Sequence, residues 1–117
     1  MKLVYICSPL RGDIERNINR ANSYCRFVVT QGAVPLAPHT IFTQFLDDEV
    51  LADRELGLQM GLELLKHCGE LYVFGDRISD GMLSEMEYAK RLGIPIQYYS
   101  DQCERRDGQD EWRFSCI

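Results

Sequence analysis

A glutamate between two apolar runs is the residue of this chain best placed to do chemistry. Glu85 follows the run Leu71 to Phe74 and precedes the run Ile94 to Tyr98, and both runs have the composition of buried strands. A segment between two parallel strands crosses over as a helix, and ligands bind at the carboxyl ends of such strands, where that helix begins. A carboxylate placed there is suited to act as a nucleophile or a base.

The start of this crossover helix is predicted from its capping residues. Asp80 is a good N-cap, and Gly81 permits a tight turn. Apolar residues then recur at helical spacing, at Met82, Met86 and Ala89. We therefore expect Glu85 within about the first turn, where the helix dipole and free backbone N–H groups would hold its carboxylate ionised. The alternatives are that Glu85 only stabilises the dipole, or that Glu87 is the nucleophile if the register differs by two.

A polar loop after the first predicted strand is a second candidate site. The strand is the apolar run Leu3 to Cys7, and the loop consists of Ser8, Pro9, Leu10, Arg11 and Gly12. Arg11 and Gly12 precede a predicted helix, and a helix N-terminus beside an arginine suits an anion such as a phosphate. A turn with a solvated arginine is the alternative. The sequence contains neither a Walker loop nor G-x-G-x-x-G, so NTP hydrolysis and dinucleotide binding lack support.

His39 is a third candidate, placed after the second predicted strand, Ala33 to Leu36. Its unperturbed pKa of about 6.5 would suit proton transfer, and stabilisation of the loop is the alternative. The carboxyl ends of parallel strands meet at one edge of a sheet. We therefore expect the loops Ser8 to Asp13, Pro38 to Thr40 and Gly75 to Gly81 to converge there on one binding site.

The order of the elements predicts an α/β fold. A helix that Asp13 caps and Gly32 ends separates the first two strands, and its apolar residues lie on one stripe. Strands and helices alternate in the same way further along. We expect a small doubly wound, flavodoxin-like or Rossmann-like parallel sheet of about four to five strands with helices on both faces. Residues 1–99 would form this domain, and residues 100–117 a tail that adds an edge strand or contacts another subunit.

The predicted helix before the third strand is apolar on more than one side. It runs from Asp53 to about His67, after a short helix over residues 41–46 and a mobile acidic connection at 47–49. A surface helix needs only one apolar face. The second face therefore indicates either deep burial or contact with another subunit, where Gly57 and Gly61 would let backbones approach closely. The second interpretation predicts a homo-oligomer, a dimer or higher.

Composition narrows the class of protein. The chain has 117 residues, enough for one domain, and a net charge of −5 with its basic residues spread along it, which argues against a nucleic acid polymer as partner. Its five cysteines are widely spaced without a C-x-x-C pair, so they imply no metal site, and nothing in the sequence implies a cofactor. No run approaches the roughly 18 apolar residues of a membrane span, and we expect a cytoplasmic protein.

Four stretches of the chain together resemble a known family. They are Val4-Tyr5-Ile6-Cys7-Ser8-Pro9-Leu10-Arg11-Gly12, Pro35 to His39, Gly81-x-x-x-Glu85-x-x-Tyr88-Ala89 and Gly93-Ile94-Pro95-Ile96. In this order they look like the nucleoside 2-deoxyribosyltransferase superfamily, over roughly Leu3 to Tyr98. The first loop is similar to that of the 2′-deoxynucleoside 5′-phosphate N-glycosidases. The closest overall likeness is to small members often carried by phages and prophages.

The resemblance implies an enzyme that cleaves or transfers the N-glycosidic bond of a (deoxy)nucleoside or nucleoside 5′-monophosphate. Glu85 would be the nucleophile that attacks C1′, Tyr5 the hydroxyl that orients it, and Ser8 to Gly12 the residues around the sugar and any 5′-phosphate. The remaining residues expected to bind substrate are His39, Asp80, Gly81 and Met82. The chemistry is consistent with this assignment, because a fixed carboxylate can stabilise or trap an oxocarbenium-like state.

The chain departs from the family in its leaving-group acid. Members carry an Asp near the start of the helix before the third strand, where this chain has Gly61 with Glu63 nearby. Asp80, Asp76 or Glu63 could take its place. If none does, the alternative is a non-catalytic nucleotide-binding module, a sensor or a sequestering protein, on the same fold.

Overall fold

The computed structural model describes residues 1–107 and the backbone of residues 113–115. Strands and helices follow one another in the order β1 (Leu3–Cys7), α1 (Ile14–Thr30), β2 (Val34–Leu36), α2 (Pro38–Phe42), α3 (Leu51–Leu65), β3 (Glu70–Phe74), β4 (Arg77–Ser79), α4 (Asp80–Leu92), β5 (Ile96–Tyr99), β6 (Arg105–Arg106) and β7 (Arg113–Ser115). None of the helices in this part of the chain has the length and apolar character that crossing a membrane requires.

The main sheet has five strands in the order β2-β1-β3-β5-β6. The first four are parallel, and β6 runs antiparallel to β5 at the edge. The chain leaves β1 for β2 on one side and returns to β3 on the other, so the carboxyl ends of β1 and β3 flank the point where the winding reverses. Ligands bind at this point in doubly wound sheets. The predicted doubly wound α/β fold is confirmed.

The two faces of the sheet build two separate cores. Successive side chains of a strand point to opposite faces. Val4 and Ile6 pack with Tyr24 and Val28 of α1 on one face. On the other face Tyr5 and Cys7 pack in a cluster with residues of α3 and α4, namely Leu65, Met82, Met86 and Ala89. Tyr5 and Cys7 therefore lie on the face of the sheet that α3 and α4 cover, and α4 carries Glu85.

The helix ends explain where Glu85 lies. The residue that caps α4 is Ser79, whose Oγ accepts a hydrogen bond from the Met82 N–H at 3.2 Å. The prediction that Asp80 is the N-cap is wrong, because an N-cap needs an extended backbone and Ser79, at the end of β4, has ψ 168°. Asp80 is the first helical residue, so Glu85 lies in the second turn. Asp13 does cap α1, and Gly93 ends α4 with φ +72°.

Two elements differ from the expected loops. Arg77–Ser79, within the expected loop 75–81, forms β4 and pairs in parallel with β7 of the tail. The segment after β2 is already helical at Pro38, since the fixed φ of proline suits the first position of a helix. In the tail, β6 lies at the edge of the main sheet. Trp112 and Ile117 of this tail, which was expected to add an edge strand or contact another subunit, lie outside the described residues.

Candidate active site

A pocket of about 440 Å³ lies at the carboxyl ends of β1 and β2, between α3 and the start of α4. The structure places most residues of the predicted site on its walls: Tyr5, Ser8, Leu10, Arg11, His39, Asp80, Gly81, Met82 and Glu85. Pro9 and Gly12 belong to the same loop but do not line the pocket. Gly12 instead makes the turn into α1, with φ +99°. The three expected segments therefore converge.

Tyr5 and Glu85 form a direct hydrogen bond inside this pocket. The Tyr5 hydroxyl, on the helix-packed face of β1, donates to Oε2 of Glu85 on α4. Tyr5 is only 1% exposed. Burial, and then the charge of Glu85, raise the pKa of Tyr5 well above its usual value, so the hydroxyl keeps its proton and remains a donor.

Burial raises the pKa of Glu85 to about 7, and the hydrogen bonds from Tyr5 and Cys7 lower it in part. The expectation that the helix dipole holds this carboxylate ionised is therefore wrong. The dipole acts mainly within the first turn, and Glu85 lies beyond it, so desolvation dominates. Near neutral pH both the ionised and the protonated form of the group are present.

Cys7 is a second neighbour of this carboxyl group. Its thiol donates to the backbone carbonyl oxygen of Met82 at 3.7 Å and lies close enough to Glu85 to affect the pKa of both groups. Burial is the main reason that the pKa of Cys7 is raised well above its usual value, so the group stays a neutral thiol. In the sequence Cys7 stood out only as the last residue of the predicted first strand. Its position two residues after Tyr5 places both side chains on the same face of β1.

Gly61 of α3 completes the surroundings of the pair. A Cβ atom built on Gly61 would lie 2.8 Å from Oη of Tyr5 and 3.9 Å from Oε2 of Glu85. The absence of a side chain therefore lets α3 approach the tyrosine hydroxyl. Gly57, one turn earlier, lines the pocket, and its Cβ would meet only Leu46 Cδ1, at 3.8 Å. Both glycines face other parts of the same chain, and the expectation that they serve a subunit contact stays a prediction.

His39 lies beside the first loop, with Nε2 3.3 Å from Oγ of Ser8. Burial lowers its pKa to about 4. The expected value near 6.5 is therefore wrong, since the surroundings disfavour the imidazolium form. Near neutral pH His39 is a neutral hydrogen-bonding group.

The segment between α2 and α3, together with the start of α3, contributes charged residues that were not predicted from the sequence. Asp48, Asp53, Arg54 and Glu55 all line the pocket. Oδ2 of Asp48 lies 3.3 Å from Nε of Arg11, and its backbone carbonyl accepts a hydrogen bond from Nε of Arg54 at 3.2 Å. Asp53 accepts the Asp47 N–H at 2.8 Å. This segment, expected to be a mobile connection, is tied to the first loop and to α3. In the sequence, only Asp53, at the start of the predicted helix, indicated that charged residues from this part of the chain would reach the site.

The candidates for a leaving-group acid separate clearly. Of the three residues expected from the sequence, only Asp80 lines the pocket; Asp53, which was not among them, lines it as well. Glu63 points away from it, is exposed, and pairs with Lys66 at 2.7 Å. Asp76 is exposed and lies outside the lining, and the rival nucleophile Glu87 is likewise exposed and outside it. Within residues 1–107, no three His, Cys, Asp or Glu side chains are grouped as a metal site would require.

The fold is similar to that of solved 2-deoxyribosyltransferases. The chain is similar to the 2-deoxyribosyltransferase of Bacillus psychrosaccharolyticus, with a TM-score of 0.65 and 16% identity over 90% of this chain and 77% of the other. It is also similar to the 2-deoxyribosyltransferase of Leishmania mexicana, with a TM-score of 0.57 and 17% identity over 98% of this chain and 83% of the other. At these identities the likeness shows the fold.

The chain itself belongs to a family described as a domain of unknown function, DUF7768, whose model matches residues 2–99. No curated protein matches it. Two finer points stay predictions. They are the likeness of the first loop to that of the N-glycosidases and the likeness of the whole chain to phage-carried members of the superfamily.

Proposed function

We propose that this protein breaks the N-glycosidic bond of a (deoxy)nucleoside or nucleoside 5′-monophosphate, with Glu85 as the nucleophile. The observation that carries the proposal is the Tyr5–Glu85 hydrogen bond on the wall of a pocket at the carboxyl ends of parallel strands. The similarity of the fold to two proteins described as 2-deoxyribosyltransferases supports it.

In the proposed reaction an oxygen of the Glu85 carboxylate bonds to C1′ of the sugar. The bond from C1′ to the base nitrogen breaks, its electron pair leaves with the base, and the base takes up a proton. Water then cleaves the sugar ester and gives hydrolysis, or a second base attacks C1′ and gives transfer. Retaining glycosidases divide the reaction into the same two steps.

The surroundings of Glu85 suit its attack on C1′. The Tyr5 hydroxyl holds the carboxyl group in place, and Tyr5 and Cys7 both favour its charged form, while burial keeps its pKa about 7 rather than low. A carboxylate of higher basicity is a stronger nucleophile, at the cost of a smaller ionised fraction at a given pH. The ionised form must be the reactive one, since a protonated acid is a poor nucleophile.

Asp53 and Asp80 are the proposed groups for holding the base or protonating it as it leaves. Both line the pocket, whereas Glu63 and Asp76 do not. Asp53 lies in the first turn of α3, the helix before β3. Ser8 and neutral His39 offer hydrogen bonds to the sugar or the base.

We also propose that the protein forms homo-oligomers in the cytoplasm. Four large apolar side chains are exposed along the connection between α2 and α3 and the first turns of α3: Phe45, Val50, Leu51 and Leu56. Exposed apolar groups of this kind are typical of contact surfaces. Light scattering measures the oligomer directly, and a monomer at micromolar concentration would contradict this part of the proposal.

The test is base release from a panel of deoxynucleosides, ribonucleosides and their 5′-monophosphates, followed by chromatography. We expect release by the wild type and by Glu87→Gln, and a loss of at least about a hundredfold in Glu85→Gln, since covalent catalysis needs the carboxylate. Glu87→Gln is the matched control, because it makes the same change at an exposed position of the same helix.

Two results would contradict the proposal. Equal loss of base release in the two variants would remove the specific role of Glu85. Binding of a nucleotide by the wild type, seen as a raised melting temperature, with no base released from any member of the panel would instead favour the non-catalytic binding module.

A further inference from the structure

The charges on the pocket walls carry an inference about the substrate, which rests on the proposed function and narrows it. Among the described residues, five carboxyl groups line the pocket, including Asp48, Asp53 and Glu55, against two guanidinium groups, Arg11 and Arg54. Negative charge therefore exceeds positive charge on the walls near neutral pH, even when Glu85 is half protonated.

Both arginines of the pocket already have partners within the chain. Nε of Arg11 lies 3.3 Å from Oδ2 of Asp48, whose side chain is only 12% exposed. Nε of Arg54 donates to the backbone carbonyl of the same Asp48 at 3.2 Å. Arg11 is the one cation that the first loop contributes to the pocket walls, and a carboxylate at this distance offsets its charge.

A phosphate monoester would meet these walls as an anion of about −1.5 to −2 charge near pH 7. Carboxylates within about 8 Å would repel it, because screening is weak at that distance and weaker still in a pocket. A free 5′-hydroxyl has no charge, and it can donate a hydrogen bond to a carboxylate. The walls thus favour the unphosphorylated ligand.

We infer that the site takes uncharged nucleosides with a free 5′-hydroxyl and discriminates against 5′-monophosphates. Asp48 is the specificity-determining residue, because it both neutralises Arg11 and adds a negative charge to the wall. A loop whose sequence suggests a phosphate site is thus converted, by an acid from another segment, into a site for a neutral group.

The test compares kcat/KM for a deoxynucleoside and for its 5′-monophosphate. We expect the wild type to favour the nucleoside by about tenfold or more, and higher salt to narrow that ratio. Asp48→Asn should reduce the ratio of the two kcat/KM values by about tenfold, mainly by raising kcat/KM for the monophosphate. Asp47→Asn is the matched control, since the side chain of Asp47 is exposed, lies outside the pocket lining and accepts the Glu49 N–H at 3.0 Å. It should keep the wild-type ratio.

Several results would overturn this inference. One is a wild-type preference for the monophosphate, and another is an equal change of the ratio in the two variants. If no base is released from either compound, the proposed chemistry fails, and calorimetric titration of the same ligands decides the inference separately. Tighter binding of the nucleoside, with the difference reduced in Asp48→Asn, would support it, whereas tighter binding of the monophosphate or no binding of either would overturn it.

Discussion

Two opposing effects act on the Glu85 carboxyl group. Removal from water favours its neutral form, and this is the larger effect, while the donors on Tyr5 and Cys7 favour its charged form. The balance leaves a pKa of about 7. A group of this kind changes its charge in the range where most cells keep their pH, so small changes around it would alter the fraction that is ionised.

The raised pKa predicts a pH-dependent stability. In the unfolded chain the pKa of this group is near 4.5, and in the folded protein it is about 7. The folded state holds the proton more tightly, so this contribution is fully present below about pH 4.5 and is lost as the pH rises through about 7. The wild type loses this contribution as the pH rises, and Glu85→Gln has none to lose. We therefore expect the free energy of unfolding of Glu85→Gln, relative to that of the wild type, to increase by about 2 to 3 kcal/mol when the pH is raised from 4.5 to 8.

Urea titrations at several pH values check this prediction, with Glu87→Gln as the control. The lowered pKa of His39 makes stability fall as the pH falls from 6.5 towards 4, but that effect is common to all three proteins and cancels in the difference. If the differences of the two variants from the wild type follow the same course with pH, Glu85 is not the titrating group.

At the scale of elements, the approach of α3 to β1 depends on one position. Gly61 has no side chain where a Cβ would lie 2.8 Å from Oη of Tyr5, and Tyr5 is a buried ring with little room to move. A glycine within a helix costs about 0.5 to 1 kcal/mol relative to alanine. Here this cost is offset by contact between the helix and the Tyr5–Glu85 pair.

Replacement by alanine should therefore change the free energy of unfolding in opposite directions at Gly57 and at Gly61. Gly57→Ala should raise the free energy of unfolding by up to about 1 kcal/mol, since the nearest atom to its Cβ is 3.8 Å away. Gly61→Ala should lower it by about 1 to 3 kcal/mol, because the new methyl group displaces Tyr5. Chemical denaturation of both variants measures this. Equal stabilisation by the two would show that α3 does not press on the tyrosine.

Local pattern was enough to predict most of the elements. Buried parallel strands are short apolar runs, and α1 carries its caps and its apolar stripe within its own sequence, so both follow from neighbouring residues. β4 could not be predicted in this way, because its pairing partner is Arg113–Ser115, far along the chain. The cap of α4 was misplaced by one residue, since Ser79 and Asp80 are both good caps and only the backbone of β4 decides between them.

At the scale of the whole molecule, the winding of the sheet assembles the pocket from distant segments. Tyr5 and Glu85 are eighty residues apart and are joined because β1 and the start of α4 meet where the winding reverses. The convergence of these segments was predictable from the order of strands. The ion pair of Arg11 with Asp48 was not, because it depends on how the connection between α2 and α3 folds back over the pocket.

The central claim is that the Glu85 carboxylate forms a bond to the sugar. The most direct measurement is the mass of the protein after brief mixing with a deoxynucleoside and rapid quenching, followed by peptide mapping. We predict a mass gain of one deoxyribosyl group on the peptide that contains Glu85, and none in Glu85→Gln. Release of base by Glu85→Gln at the wild-type rate, with no sugar on that peptide in either protein, would contradict the claim.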